Sequence, residues 1–199
     1  MKIFINPGHT PQIDIENGYD NDCGACGFGM QENIIAKSVA DLLESELEQT
    51  GFEVENFQSS NLYAITDKAN LSNADIFISI HCNAANGTAQ GTETFYCEGS
   101  AKGKKIASAV QKNIVTTLNT INRGVKDDTQ TQYSRIHVLR KTKMPAILIE
   151  LAFIDNKNDA NLLQNYQWRF ANATAKGIAE YCGLKPDVPA ICPACGRSF

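Results

Sequence analysis

Runs of contiguous apolar residues alternate along this chain with stretches in which apolar positions recur every three or four residues. Lys2 to Asn6 reads as a short strand that Pro7-Gly8 breaks sharply. A polar, glycine-rich loop of about 20 residues follows, reaching about Met30, a length that usually signals function. From Glu32 to about Thr50, the residues Ile35, Val39, Leu42, Leu43 and Leu47 fall on one helical face, and Gly51 supplies the stop. Phe52 to Phe57 alternates like a strand, and Leu62 to Asn70 suits a short helix. Asp75 to His81 is nearly continuous apolar, as a strand buried on both faces would be. Gly91 to Tyr96 predicts another strand, and Ile106, Val110, Ile114 and Leu118 mark a second helical face. Arg135 to Leu139 alternates and suggests a strand, whereas Ala146 to Glu150 is again a buried-strand run. Trp168, Ala171, Ala175, Ile178 and Cys182 mark the last helix, which Gly183 and Pro186 end.

Strands alternating with helices predict an α/β fold: one domain with a mainly parallel, twisted sheet of about six strands, right-handed crossovers and helices on both faces. The boundary falls at residues 1–184, leaving 185–199 as a short tail with its own cysteine pair. A length of 199 residues and a hydrophobic content of 43% suit one soluble catalytic-size domain. The net charge of -4, with no block of Lys or Arg, argues against nucleic acid or an anionic membrane as partner. No stretch approaches membrane-spanning length, and the N-terminus lacks a secretory apolar region. Synthesis in the cytoplasm is therefore expected, with release by another route or a removed signal left open. Seven cysteines, an odd number, cannot all join one disulfide framework, so reduced thiols or metal ligation fit better.

Three strand-like runs finish in an ionisable side chain: His9, His81 and Glu150. In an open parallel sheet these would project from the carboxyl edge, where such folds place ligands. Glu32 precedes Ile35, Ala36 and Val39 by three, four and seven positions, so it shares the face that packs against the sheet. An unpaired carboxylate there is costly, and a cation would compensate it. Singly, a strand-end His is most often an ordinary hydrogen-bonded residue and a first-turn Glu a dipole-favoured surface charge. Their convergence favours a site. Two His and one carboxylate with an open fourth position is the arrangement of hydrolytic zinc, whereas a closed structural site would use more thiolates.

At these residues the chain resembles the family-3 N-acetylmuramoyl-L-alanine amidases. The similarity runs through Asn6-Pro-Gly-His9, Asp22-Cys-Gly-Ala25, Glu32, Asn73-Ala-Asp-Ile-Phe-Ile-Ser-Ile-His81-Cys-Asn83-Ala84 and Gly91-Thr-Glu-Thr-Phe-Tyr96. It continues through Asn122-Arg-Gly-Val-Lys126, Val138-Leu-Arg140 and Met144-Pro-Ala-Ile-Leu-Ile-Glu150-Leu-Ala-Phe-Ile-Asp-Asn156, with order and spacing kept over about residues 1–182. The resemblance implies a zinc-dependent hydrolase of peptidoglycan that cuts the amide between N-acetylmuramic acid and L-alanine. It implies that His9, Glu32 and His81 hold one Zn2+ and that Glu150 is the catalytic carboxylate. The chain departs from the family pattern at Ile65, where an arginine is common, at Cys23, where proline is common, and at Cys82 after the histidine. The short interval between His81 and Gly91 leaves no room for the helix that blocks some relatives, so an open cleft is expected.

Other residues carry weaker readings. His137, in the alternating segment, is expected not to be a ligand. Asn83 is expected to orient the site or bind substrate, and Arg140 to hold a peptide carboxylate, although exposed arginines usually need no such role. Cys192 and Cys195 resemble one knuckle of a zinc ribbon, and Cys23 with Cys26 is the candidate second knuckle for a structural Zn2+. Free thiols or a redox pair fit the same residues, and a disordered tail is the plainer expectation. Two rival functions stay open: a zinc carboxypeptidase or other peptide amidase, and a noncatalytic wall-binding protein. Oligomeric state is not legible in the sequence.

Overall fold

The computed structural model describes residues 1–10, 22–131 and 135–184. In chain order its elements are β1 (Lys2–Pro7), β2 (Cys26–Gly27), β3 (Met30–Gln31), α1 (Glu32–Gln49), β4 (Glu53–Asn56), α2 (Leu62–Leu71) and β5 (Ile76–Asn83). They continue as β6 (Thr92–Tyr96), α3 (Ala101–Leu118), β7 (Asn122–Asp127), α4 (His137–Lys141), β8 (Ala146–Phe153), α5 (Lys157–Asn165) and α6 (Gln167–Tyr181).

Six strands form one sheet in the order β4-β1-β5-β8-β6-β7, and β2 pairs with β3 in a separate hairpin. Four of the five pairings in the large sheet are parallel; β6 against β8 is the antiparallel one. Alternation within the strands distributes side chains to two cores. Ile3, Ile5, Ile78, Ile80, Ile147 and Ile149 face one layer, packed with Val39 and Leu43 of α1, Val110 of α3 and Phe170 of α6. Phe4, Phe77 and Leu148 face the other, with Ile65 of α2 and Val138 and Leu139 of α4. Each such fully buried aliphatic or aromatic side chain contributes about 1.5–3 kcal/mol of transfer free energy. The expected mainly parallel sheet with helices on both faces is therefore present.

The element assignments differ from expectation in four places. The strand expected at Arg135–Leu139 is not formed: residues 137–141 are the short helix α4. Val138 and Leu139 are both buried in one core, and neighbouring residues of a strand would point to opposite faces. The edge strand β7 and the helix α5 have no counterpart among the expected elements, since β7 is largely polar and half-exposed. Helix α5 is started by Asn156, whose side chain accepts from the backbone N–H of Asn158 and Asp159. The fourth is the small hairpin of β2 and β3 inside the segment expected as loop; the reversed direction of β6, which a mainly parallel sheet allows, follows from its pairing with β8 and not from its own composition.

Candidate metal centre and active site

The carboxyl ends of β1, β5 and β8 lie side by side because these strands pair in parallel. Past the end of β1, Gly8 N–H donates to the Ile80 carbonyl at 2.9 Å, which ties the turn to β5. A side chain at Gly8 is sterically excluded, because its Cβ would lie 2.3 Å from His81 Cε1. His9 then adopts a left-handed backbone with φ 57, and its ring stands edge-on to His81 with centroids 5.2 Å apart. Glu32, the first residue of α1, is only 3% exposed.

The Glu32 carboxylate sits between the two imidazoles. His81 Nδ1 donates to Glu32 Oε1 at 2.9 Å, and His9 Nε2 lies 3.4 Å from Oε2. Backbone N–H groups complete its shell: Ala25 donates to Oε2 at 2.7 Å and Cys82 to Oε1 at 3.0 Å. Gly24 makes this approach possible, since a Cβ there would fall 2.5 Å from Glu32 Oε2 and 2.6 Å from His9 Cδ2. Burial by itself would raise the Glu32 pKa, but the hydrogen bonds and charges of His81 and His9 outweigh it and hold the group ionised, well below the usual carboxylate range. Burial likewise pulls His9 down, yet Glu32 and then Asp22 lift it to about 9. Asp22 accepts from His9 Nδ1 at 2.7 Å and so leaves Nε2 turned toward Glu32.

Glu150 occupies the same row of the sheet as His81, its partner in register on β5, and as Glu93, its partner on β6. Its Oε2 is buried and without a hydrogen-bond partner among the described residues. Burial raises the Glu150 carboxyl to about 7; the nearby His81 opposes the rise, and Glu32 and Glu93 reinforce it. Glu93, 5% exposed, is the hub of a second network. It accepts from Asn83 Nδ2 at 2.7 Å and from Arg123 Nε at 3.0 Å, and it also pairs with Lys126. Asn83, the last residue of β5, is therefore held in place by Glu93.

A cleft of about 600 Å3 opens beside the two histidines, lined on its far wall by Ile65, Arg135, Ile136 and His137. His9 and His81 keep 28% and 21% of their side-chain surface exposed. Only residues 84–91, none of them helical, link β5 to β6, so no helix covers the site from that interval. His137 lines the cleft but stays outside the ligand cluster, its ring edge-on to Tyr63 at 5.0 Å. Arg140 is exposed on α4 and does not line the cleft; Arg135 does, although Asp128 and Glu98 already hold its guanidinium. Ile65 forms part of the same wall. Cys23 and Cys26 bring their sulfurs to 3.2 Å, while Cys192 and Cys195 lie outside the described residues. Sequence reasoning misses Asp22 and Glu93 as working parts of the site. Both belong to family-like segments, Asp22-Cys-Gly-Ala25 and Gly91-Thr-Glu-Thr-Phe-Tyr96, so a signal exists for each, but the contact of Asp22 with His9 and the place of Glu93 beside Glu150 emerge only from the fold.

One donor atom from each of His9, Glu32 and His81 lies within 4.8 Å of the other two, close enough to share a metal ion. The donor set, two imidazoles and an ionised carboxylate, is that of hydrolytic divalent-metal sites, and the buried negative charge of Glu32 matches a cation. Fold and site together define an α/β protein in which three side chains are placed to share a cation and a second, buried carboxyl lies in register with His81, an arrangement that suits a metal-dependent hydrolase.

Comparison with known proteins gives the particular family. Residues 3–180 match the N-acetylmuramoyl-L-alanine amidase family. A sporulation-specific N-acetylmuramoyl-L-alanine amidase of Bacillus subtilis (strain 168) is 32% identical over 194 residues, 93% of this chain and 69% of that protein. The endolysin of Bacillus phage SPP1 is 35% identical over 198 residues, 92% of this chain and 66% of the phage protein. The crystal structure of an N-acetylmuramoyl-L-alanine amidase from Clostridium difficile 630 superposes with a TM-score of 0.78 at 29% identity, covering 92% of this chain and 97% of that one. The chain belongs to the N-acetylmuramoyl-L-alanine amidase family and carries its peptidoglycan amidase domain.

Proposed function

We propose that residues 1–184 form a zinc amidase domain that cleaves the bond between N-acetylmuramic acid and L-alanine, with His9, Glu32 and His81 as zinc ligands and Glu150 as the proton-transfer group. Bound there, zinc supplies Lewis acidity toward the amide carbonyl and water. Glu150 takes a proton from the attacking water and passes it to the departing L-alanine amine, a dual role suited to a carboxyl whose burial favours keeping a proton. Asp22 keeps His9 in the orientation that frees Nε2, and Asn83, anchored by Glu93 two residues beyond His81, is the side chain assigned to orienting the site or holding substrate. Arg140 lacks cleft contact to support its expected part in binding substrate. For a structural zinc at Cys23, Cys26, Cys192 and Cys195, only the closeness of the first two offers support.

One observation carries the reading: three ligand atoms within 4.8 Å of one another, with a buried carboxyl oxygen on the neighbouring strand that has no hydrogen-bond partner among the described residues. Action is at the cell wall, by release from the cytoplasm in the manner of an endolysin or by export. Among the described residues, no helix is long and apolar enough to cross a membrane. The test is digestion of purified peptidoglycan by the zinc-loaded protein, with mass spectrometry of the soluble products. Stem peptides beginning with L-alanine support the proposal. Release of a terminal amino acid instead establishes a carboxypeptidase, and binding to the wall without turnover a noncatalytic protein.

A further inference from the structure

The cysteine pair beside the candidate metal centre is not used by the proposed hydrolysis. Cys23 and Cys26 hold their sulfurs 3.2 Å apart; Cys26 is exposed and Cys23 half-buried, so a small reagent reaches the pair. The two residues enclosed by them are the ones that shape the Glu32 pocket. Gly24 packs against Glu32 and His9, and Ala25 N–H donates to Glu32 Oε2 at 2.7 Å. Both flanks of the loop are tied to the start of α1: the Cys23 carbonyl accepts from Asn33 N–H at 3.2 Å, and the Ala25 carbonyl from Glu32 N–H at 2.9 Å. Cys26 also opens β2, whose partner β3 runs directly into Glu32.

We propose that Cys23 and Cys26 are a redox modification site, closing to a disulfide that fixes the loop around Glu32 and slows loss of the bound cation. A sulfur–sulfur bond of about 2.05 Å needs an approach of roughly 1 Å from the present contact, within reach of side-chain rotation. The oxidant is a low-molecular-weight disulfide. The exposed Cys26 thiolate attacks one of its sulfurs, forming a mixed disulfide and releasing one small thiolate. Cys23 thiolate then attacks the Cys26 sulfur, and the second small thiolate leaves. The two protons given up by the cysteines end on the two released thiols, and the two electrons reduce the reagent. The hydrogen bond to Cys23, with a little burial, raises the Cys26 thiol above its ordinary value, so the first attack is faster in mildly alkaline buffer. Disulfide formation stands on the sulfur geometry alone, whereas the effect on the cation rests on the proposed ligand set.

The full chain is treated with oxidised glutathione at pH 8.5, and peptide mapping reads the mass of the segment holding both cysteines. A loss of two hydrogens within that segment, retained when Cys192 and Cys195 are replaced by serine, is expected. Linkage of Cys23 or Cys26 to any other cysteine, or no mass loss, overturns the disulfide. Zinc-loaded oxidised and reduced proteins are then challenged with a colorimetric chelator, and release from the oxidised form is expected to be about tenfold slower, the scale of other effects on residues that support metal ligands. Equal release rates overturn the coupling. Failure of both forms to bind zinc overturns the ligand set and the coupling with it, while the mapped disulfide stands.

Discussion

Replacing Glu150 by Gln separates the cost of burying this carboxyl from its use in catalysis. The fold raises Glu150 from 4.5 to about 7, chiefly by burial, so the folded protein binds this proton more tightly than the unfolded chain. The contribution of the protonated group is fully present below about pH 4.5 and is lost as pH rises through about 7. At about 1.4 kcal/mol for each tenfold change in proton affinity, the ionised carboxylate costs the metal-free fold about 3 kcal/mol at pH 8.5 and under about 1 kcal/mol at pH 5. Glutamine has the same shape and no charge. The variant is therefore expected to melt roughly 5–10 °C above the metal-free wild type at pH 8.5 and to converge with it toward pH 5. His9 is common to both proteins, so its own titration largely cancels in the difference. The zinc-loaded variant is expected to digest peptidoglycan more slowly by a factor of about 100 to 10,000, the range for loss of general acid–base catalysis. Parallel melting curves at all pH values would refute the burial argument, and activity within tenfold of wild type would refute the proton-transfer role.

Three further substitutions probe the surroundings of the site. Glu93→Gln leaves Arg123 and Lys126 without the carboxylate they share, and a loss of about 2 kcal/mol is expected in urea denaturation, below the fully buried case because both cations are partly solvated; an unchanged midpoint would contradict the network. Asp22→Asn keeps a polar group beside His9 but removes its charge, so zinc affinity measured by chelator competition should fall about 10- to 100-fold. Gly8→Ala drives a methyl group into the His81 ring, and the purified protein is expected to carry well under one zinc by elemental analysis, with near-native circular dichroism.

Much of this is legible in the chain because the physics behind it is local. The apolar runs at Ile3–Ile5, Ile76–Ile80 and Ala146–Ile149 are short and rich in β-branched isoleucine, as strands buried on both faces are, and α1 shows its core face through Ile35, Val39 and Leu43. A parallel sheet collects the ends of such strands at one edge, so the hydrophobic pattern is enough to make His9, His81 and Glu150 candidates. Glu32 is a candidate because a carboxylate on a core-facing position demands a partner. Alternation misleads at residues 135–139, where Val138 and Leu139 bury on the same side of a helix turn. Tertiary structure alone decided the direction of β6, which pairs antiparallel with β8 and thereby brings Glu93, near the start of its strand, to the same edge as Glu150. It alone placed Arg123 and Lys126 around Glu93, Asp22 on His9, and the Glu32 carboxylate between two rings. These contacts join residues up to 49 positions apart. Pairing direction and distant side-chain meetings depend on which elements become neighbours, and no local pattern of hydrophobic and polar residues contains that information.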